Sequence, residues 1–387
     1  MQWLNIIHFY QPANIDDWKI KEAVEKSYLR IIRALEENPK IKFGLNITGC
    51  LLSRLENLGY NDLIDRISKL IKNGQLELLG SAAYHPLLPL IPSNEAINQI
   101  KENEEILKKF FGLNRPTGFF LPELAYSSKA GQLIKRLGYQ WIVLDEISKI
   151  GKLKDTDTSR VYLDRSSGLK IIFRSRTLSK SYPPDELRKI ISPESIDKYF
   201  ITATDAELYG LRHEDPTGEF EKFLKHPELK TILPSEFIKK EKVFEIIFPI
   251  NSSWDTGAKD LKKNMPFALW QNNNNSIQKK LWELAGQAIK AVEENKKDKN
   301  YYWARWHLAR GLSSCTFWWA SGRDFRPEFG SLAWSPDDVE RGANDLIRAI
   351  RSVENKKTKK DKIKAEELLS DIGRELWITH WNKYWLM

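Results

Sequence analysis

Gly118-Phe119-Phe120-Leu121-Pro122-Glu123-Leu124-Ala125 carries a single acid in an otherwise apolar octet. The acid follows directly on a short strand candidate at 117–121. A carboxylate in such surroundings is costly to bury unless it is paired or hydrogen-bonded, so it tends to have a purpose. Two readings compete for Glu123: a functional group at a strand end, or an acid that follows Pro122 into a helix and complements its dipole. The surroundings repeat the pattern. Apolar strand candidates also lie at 3–7, 42–47, 76–79, 141–144, 171–174 and 199–203. Between most of them apolar residues recur at three- and four-residue spacing, as in Ala23, Tyr28, Ile31, Ile32 and Leu35, or Ile97, Ile100, Ile106, Leu107 and Phe110. Pro92-Ser93-Asn94-Glu95 marks the start of the second of these helices, with Ser93 as its N-cap. Strand–helix alternation of this kind predicts an α/β fold of parallel βαβ units, and seven strands are enough to close a barrel. The crossover at 145–170 lacks helical period and is expected to hold a hairpin or loop.

Beyond about residue 260 the character changes. A polar stretch, Gln271-Asn272-Asn273-Asn274-Asn275-Ser276, precedes helical patterns at 276–295, 300–320, 335–353 and 361–381. The expected organisation is a barrel over 1–260 and a helical domain over 261–387.

With 387 residues, 41% of them hydrophobic and 29% charged, the chain is expected to bury a substantial core. The net charge of +9 raises nucleic acid as a partner. Yet Lys-rich stretches such as Lys296-Lys297-Asp298-Lys299 and Lys356-Lys357-Thr358-Lys359-Lys360 sit in predicted connections and are interleaved with acids or polar residues. No zinc, helix-turn-helix or RNA-binding signature accompanies them, so a solvated basic surface is expected and no nucleic-acid partner. No apolar run approaches the roughly 20 residues of a membrane span, so no membrane partner is expected either. The first residues lack a basic, apolar leader, and Cys50 and Cys315 read as reduced thiols, which together predict a cytoplasmic protein. The 14 Trp residues suit stacking on sugar rings as well as core packing.

In a βα barrel, functional groups belong at the C-terminal strand ends. Four such ends carry polar residues: His8-Phe9-Tyr10-Gln11-Pro12, then Gly80 through Tyr84-His85-Pro86, then Pro122-Glu123, then Thr204-Asp205-Ala206-Glu207. Alternation in an extended segment would put Asp205 and Glu207 on one side; a capping acid with a solvated neighbour is the competing reading. The six histidines are too scattered for a metal motif. A metal held by His8, His85 and a carboxylate, as in sugar deacetylases, is the alternative chemistry. No phosphate loop or nucleophile elbow is present, and no cofactor is expected.

These segments, in this order and on these strand ends, resemble glycoside hydrolase family 57, whose members include amylases, amylopullulanases, 4-α-glucanotransferases and branching enzymes acting on α-glucans. His8-Phe9-Tyr10-Gln11-Pro12 is similar to its first motif and Gly74-Gln75-Leu76-Glu77-Leu78-Leu79-Gly80, followed by Tyr84-His85-Pro86, to its second. Phe120-Leu121-Pro122-Glu123 is similar to the third and Thr204-Asp205-Ala206-Glu207-Leu208-Tyr209-Gly210 to the fourth. The resemblance implies an incomplete (β/α)7 barrel whose helical domain helps complete the site. It also implies a retaining reaction with Glu123 as nucleophile and Asp205 as acid/base. His8, Gln11, Glu77, His85 and Glu207 would hold sugar hydroxyls, and Trp318 and Trp319 would stack on rings. Asp324 would come from the fifth motif, near Phe317-Trp318-Trp319-Ala320-Ser321-Gly322-Arg323-Asp324-Phe325, which follows the family pattern only loosely. Tyr10 and Phe120 stand where the family usually has His and Trp. The partner expected is therefore an oligo- or polysaccharide.

Overall fold

The computed structural model describes residues 1–192, 198–242, 244–322 and 333–385. Its strands are β1 (Gln2–Phe9), β2 (Phe43–Ile47), β3 (Leu76–Leu79), β4 (Gly118–Phe120), β5 (Trp141–Asp145), β6 (Val161–Asp164), β7 (Lys170–Arg174), β8 (Tyr199–Asp205), β9 (Lys230–Thr231) and β10 (Glu245–Ile247). One run of pairing is β8-β1-β2-β3 and another is β4-β5-β7, all parallel. Two slender joints close them into a ring. A parallel bridge pairs Gly80 with Phe119, and the Ser175 amide just past β7 donates to the Ile201 carbonyl of β8 at 2.9 Å. The result is an incomplete (β/α)7 barrel, its seven strands those the sequence pattern marks out. The irregular crossover holds a short helix, Ile147–Ile150, and then β6, which returns antiparallel to β7 and carries β10 on its far edge.

Parallel strands covered on both sides are apolar on both faces, and β1 shows how the faces divide. Trp3, Ile7 and Phe9 enter one apolar cluster with Ile31, Ile32, Leu35, Ile64 and Ile67 of the surrounding helices. The alternate set, Leu4, Ile6 and His8, therefore turns into the barrel. Below that level, the helix Pro234–Lys240 seats Pro234 against Gly44, where an added Cβ would lie 3.0 Å from Ile6 and 3.1 Å from Pro234. The helix that begins near residue 93 starts at Ser93 itself, with Pro92 as its flanking residue and no side-chain cap.

The chain divides into two compact units. The first comprises Met1–Gln11, Ile15–Ala83 and Leu88–Trp254 and holds the barrel; the second comprises Pro12–Asn14, Tyr84–Leu87 and Asp255–Met387. The second unit is helical, with Ser276–Glu294, Tyr301–Gly311, Ser314–Trp318, Pro336–Ser352 and Lys359–Thr379. Glycines let its helices touch. A Cβ on Gly311 would stand 2.8 Å from Leu346, and one on Gly342 would stand 2.3 Å from the Thr316 hydroxyl. No described helix is long and apolar enough to cross a membrane.

Candidate active site

Glu123 lies in a single turn, Pro122–Leu124, immediately past β4. Its backbone is left-handed, at φ 60° and ψ 15°, and Leu124 follows at φ 46°. For a residue with a Cβ this conformation costs about 1–3 kcal/mol and persists only where the surroundings enforce it. The enforcement is visible on both sides. Leu124 N–H donates to Leu121 at 2.8 Å, Ala125 N–H to Pro122 at 3.0 Å, and Trp254 N–H to the Glu123 carbonyl at 3.1 Å. Tyr126 and Ser252 then bridge the two segments. The carboxyl-bearing residue is buried, at 8% exposure.

Asp205 is the last residue of β8 and lies in register with His8 on β1. Its Oδ2 accepts a hydrogen bond from Arg212 Nη1 at 2.6 Å. His8 is buried and stacks on Phe120 at 4.7 Å and on Tyr10 at 5.7 Å, with the Trp254 ring edge-on at 6.1 Å. His8 therefore stands between the strand that leads to Glu123 and the strand that ends at Asp205. Its Nδ1 is 2.6 Å from Asn46 Oδ1. Asn46 Nδ2 donates to the Leu79 carbonyl, which leaves Oδ1 as acceptor and makes His8 Nδ1 the donor. Burial lowers the His8 pKa, with Asp205 and Asn46 offsetting only part of it, which favours the neutral ring, and with Nδ1 the donor its lone pair is on Nε2.

Glu207 follows in a short turn, Ala206–Leu208, rather than in extended alternation with Asp205. It is buried, and its Oε1 accepts from Gln11 Nε2 at 2.7 Å and from the Tyr28 hydroxyl. Burial raises its pKa first, and the Asp205 charge adds to the shift. The Arg212 charge and the Tyr28 hydrogen bond offset only part of it.

This shift has a thermodynamic consequence. A carboxyl whose folded-state pKa exceeds 4.5 stabilises the fold fully below pH 4.5, and that stabilisation is lost as pH rises through the raised value. Glu207→Gln lacks this loss. Its melting temperature relative to the native protein is therefore expected to rise from pH 4.5 to pH 7.5. A difference that is flat or falls with pH in paired thermal melts would rule this out.

The structure brings His8, Gln11, Glu123, Asp205 and Glu207 to the strand ends of the first unit. Glu77 sits lower, mid-strand opposite Gly44, and its Oε2 accepts from the Ser235 amide at 2.9 Å at the start of helix Pro234–Lys240. His85 belongs to the second unit, where it is buried with Nδ1 3.1 Å from the Ser314 hydroxyl. In that unit Trp319 is buried at 5% exposure and Trp318 is half-buried; Asp324 lies outside the described residues.

Several groups that shape the site lie outside the residues the sequence reading singles out. Arg174, at the end of β7, donates to Asp145 Oδ2 at 2.9 Å, to the Ala203 carbonyl at 2.7 Å and to the Trp254 carbonyl at 3.3 Å. Arg176 donates Nη2 to Asp145 Oδ1 at 2.6 Å and to the Ser253 carbonyl at 3.3 Å. Asp145 ends β5 and Arg174 ends β7, so the strand-end rule itself marks these two. Tyr28 and Trp254 carry no such mark.

The parallel barrel with carboxylates at its strand ends defines an α/β-barrel protein. The sequence matches the glycosyl hydrolase family 57 over residues 4–248, and the chain belongs to that family. It is 28% identical over 216 residues to alpha-amylase 1 of Dictyoglomus thermophilum, covering 53% of this chain and 31% of that protein. It is 30% identical over 140 residues to the 4-alpha-glucanotransferase of Thermococcus litoralis, covering 36% and 21%. The chain thus spans less than a third of the length of these relatives. The crystal structure of that glucanotransferase superposes with a TM-score of 0.68 at 19% identity, covering 92% of this chain and 60% of the other. A branching enzyme from Pyrococcus horikoshii gives 0.67 at 15% identity, covering 95% and 94%.

Proposed function

We propose that the protein processes α-glucans by a retaining double displacement, as hydrolase or glucan transferase. The observation that carries this reading is Glu123. It is buried, held left-handed by hydrogen bonds on both sides, and separated from Asp205 by the buried His8. In the first half-reaction a Glu123 oxygen bonds to the anomeric carbon as the glycosidic C–O bond breaks, and Asp205 gives its proton to the departing oxygen. In the second, Asp205 takes a proton from water or a sugar hydroxyl, whose oxygen displaces Glu123. His8 Nε2 accepts from a substrate hydroxyl, and Gln11 and Glu207, tied together and to Tyr28, complete the polar floor. Glu77, engaged with the helix at Ser235, acts in this reading by holding β3 in place.

Incubation with maltoheptaose followed by chromatography tests the proposal. Shorter sugars alone mean hydrolysis, and a ladder including longer ones means transfer. An unchanged substrate would sink the α-1,4-glucan assignment.

A further inference from the structure

Arg212 has no role in the scheme above, yet its guanidinium is the group that meets the acid/base. It reaches back from the far end of one tight loop. Gly210, at φ 115°, turns the chain there, where a Cβ would stand 2.3 Å from the Lys26 carbonyl oxygen. Past this turn the Leu211 and Arg212 amides both donate to the Glu207 carbonyl, at 3.2 and 2.7 Å. The loop that begins at Asp205 so returns its own arginine to Asp205, with Nη1 to Oδ2 at 2.6 Å. The groups acting on Asp205 from neighbouring elements are His8 on β1 and Tyr28 on the turn Val24–Tyr28; Glu207 and Arg212 share its own loop.

A carboxyl that delivers a proton needs one oxygen aimed at the leaving group and little freedom to rotate. Of the two oxygens of Asp205, Oδ2 is occupied by the arginine. Glu207 on the same loop, fixed by Tyr28 and Gln11, also interacts electrostatically with this guanidinium. We propose that Arg212 is a positioning residue for proton transfer: it grips Asp205 Oδ2 and so presents Oδ1 to the glycosidic oxygen. The proton leaves Oδ1 as the glycosidic bond breaks, and Oδ1 recovers it from the acceptor hydroxyl in the second half-reaction. This inference rests on the reading of Asp205 as acid/base.

The test compares kcat/KM on two substrates that need the proton to different degrees. Cleavage of maltoheptaose expels a sugar oxygen that requires the proton, whereas cleavage of a 4-nitrophenyl α-maltooligoside expels a stable phenolate that does not. Arg212→Gln is expected to lose about tenfold or more on maltoheptaose and at most about threefold on the nitrophenyl substrate. Arg212→Lys, which keeps a donor, should fall between Arg212→Gln and the native enzyme on maltoheptaose. Equal losses on both substrates in a variant that melts normally would make Arg212 a structural residue. A change confined to KM and equal for both would make it a substrate ligand. Either outcome overturns the proposal, as does native inactivity on both substrates. Asp205→Ala is the separate arm: if it shows no preference for the activated substrate, the acid/base reading fails whatever Arg212→Gln does.

Discussion

Glu123→Gln is expected to reduce turnover of maltoheptaose by at least about a thousandfold while leaving the fold intact. The amide keeps the shape of the side chain and leaves untouched the backbone contacts that fix residue 123, since these run through its carbonyl and the flanking amides. What it loses is the oxygen nucleophile. Glu123→Gly sharpens the test, because glycine adopts φ 60° without the steric cost borne by glutamate. The glycine variant should be as inactive as the glutamine one, yet melt no lower than the native protein. Its open space also admits azide, which would attack the anomeric carbon from the vacated face and release a β-glycosyl azide. Turnover near native in Glu123→Gln, or an α-configured azide product from Glu123→Gly, would remove Glu123 as nucleophile.

The parts of the molecule legible in the sequence are those governed by short-range periodicity. The seven barrel strands alternate with helices whose apolar residues recur at helical spacing, and each pattern reports burial against a neighbour. The irregularity of 145–170 correctly signals that no crossover helix fills it, because β6 folds back on β7 there. The rule that polar groups follow strands singles out His8, Glu123 and Asp205, and the structure does place them at strand ends. What the rule misses comes from distant chain. Tyr28 comes from a helical segment where its spacing reads as core, and it is core: it stacks on Phe9 at 4.4 Å while its hydroxyl holds Glu207. Trp254 reaches Glu123 through a backbone amide, which no side-chain pattern reports. Glu77 shows a contact that its motif does not announce. Its motif suggests a sugar ligand, whereas its carboxylate meets a helix start that sequence separates from it by more than 150 residues. Trp319, read as a stacking platform, is buried; an aromatic beside polar residues looks the same in sequence whether its ring faces substrate or core.

Asp145→Asn is the substitution expected to cost the most stability. The residue is fully buried, and its two oxygens accept from Arg174 Nε at 2.9 Å, from Arg176 Nε at 2.9 Å and from Arg176 Nη2 at 2.6 Å. Both arginine side chains are at most 8% exposed. Losing the aspartate charge leaves two desolvated cations facing each other. Breaking a buried pair in this way costs about 3–5 kcal/mol, which corresponds to a fall of about 6–20 °C in melting temperature for a unit of this size. Glu36 provides the contrast. It pairs with Arg66 at 2.7 Å on the surface, at 37% and 23% exposure, and Glu36→Gln should cost no more than about 1 kcal/mol. The damage at Asp145 should also reach the chemistry, because Arg174 and Arg176 bind the carbonyls of Ala203, Ser253 and Trp254. Those residues lead into Asp205 and hold the Glu123 turn. Activity of Asp145→Asn, measured well below its lowered melting point, should therefore remain reduced. Full activity there would show that the cluster supports the barrel without aligning the site; an unchanged melting temperature would show that the two guanidiniums are held without the aspartate charge.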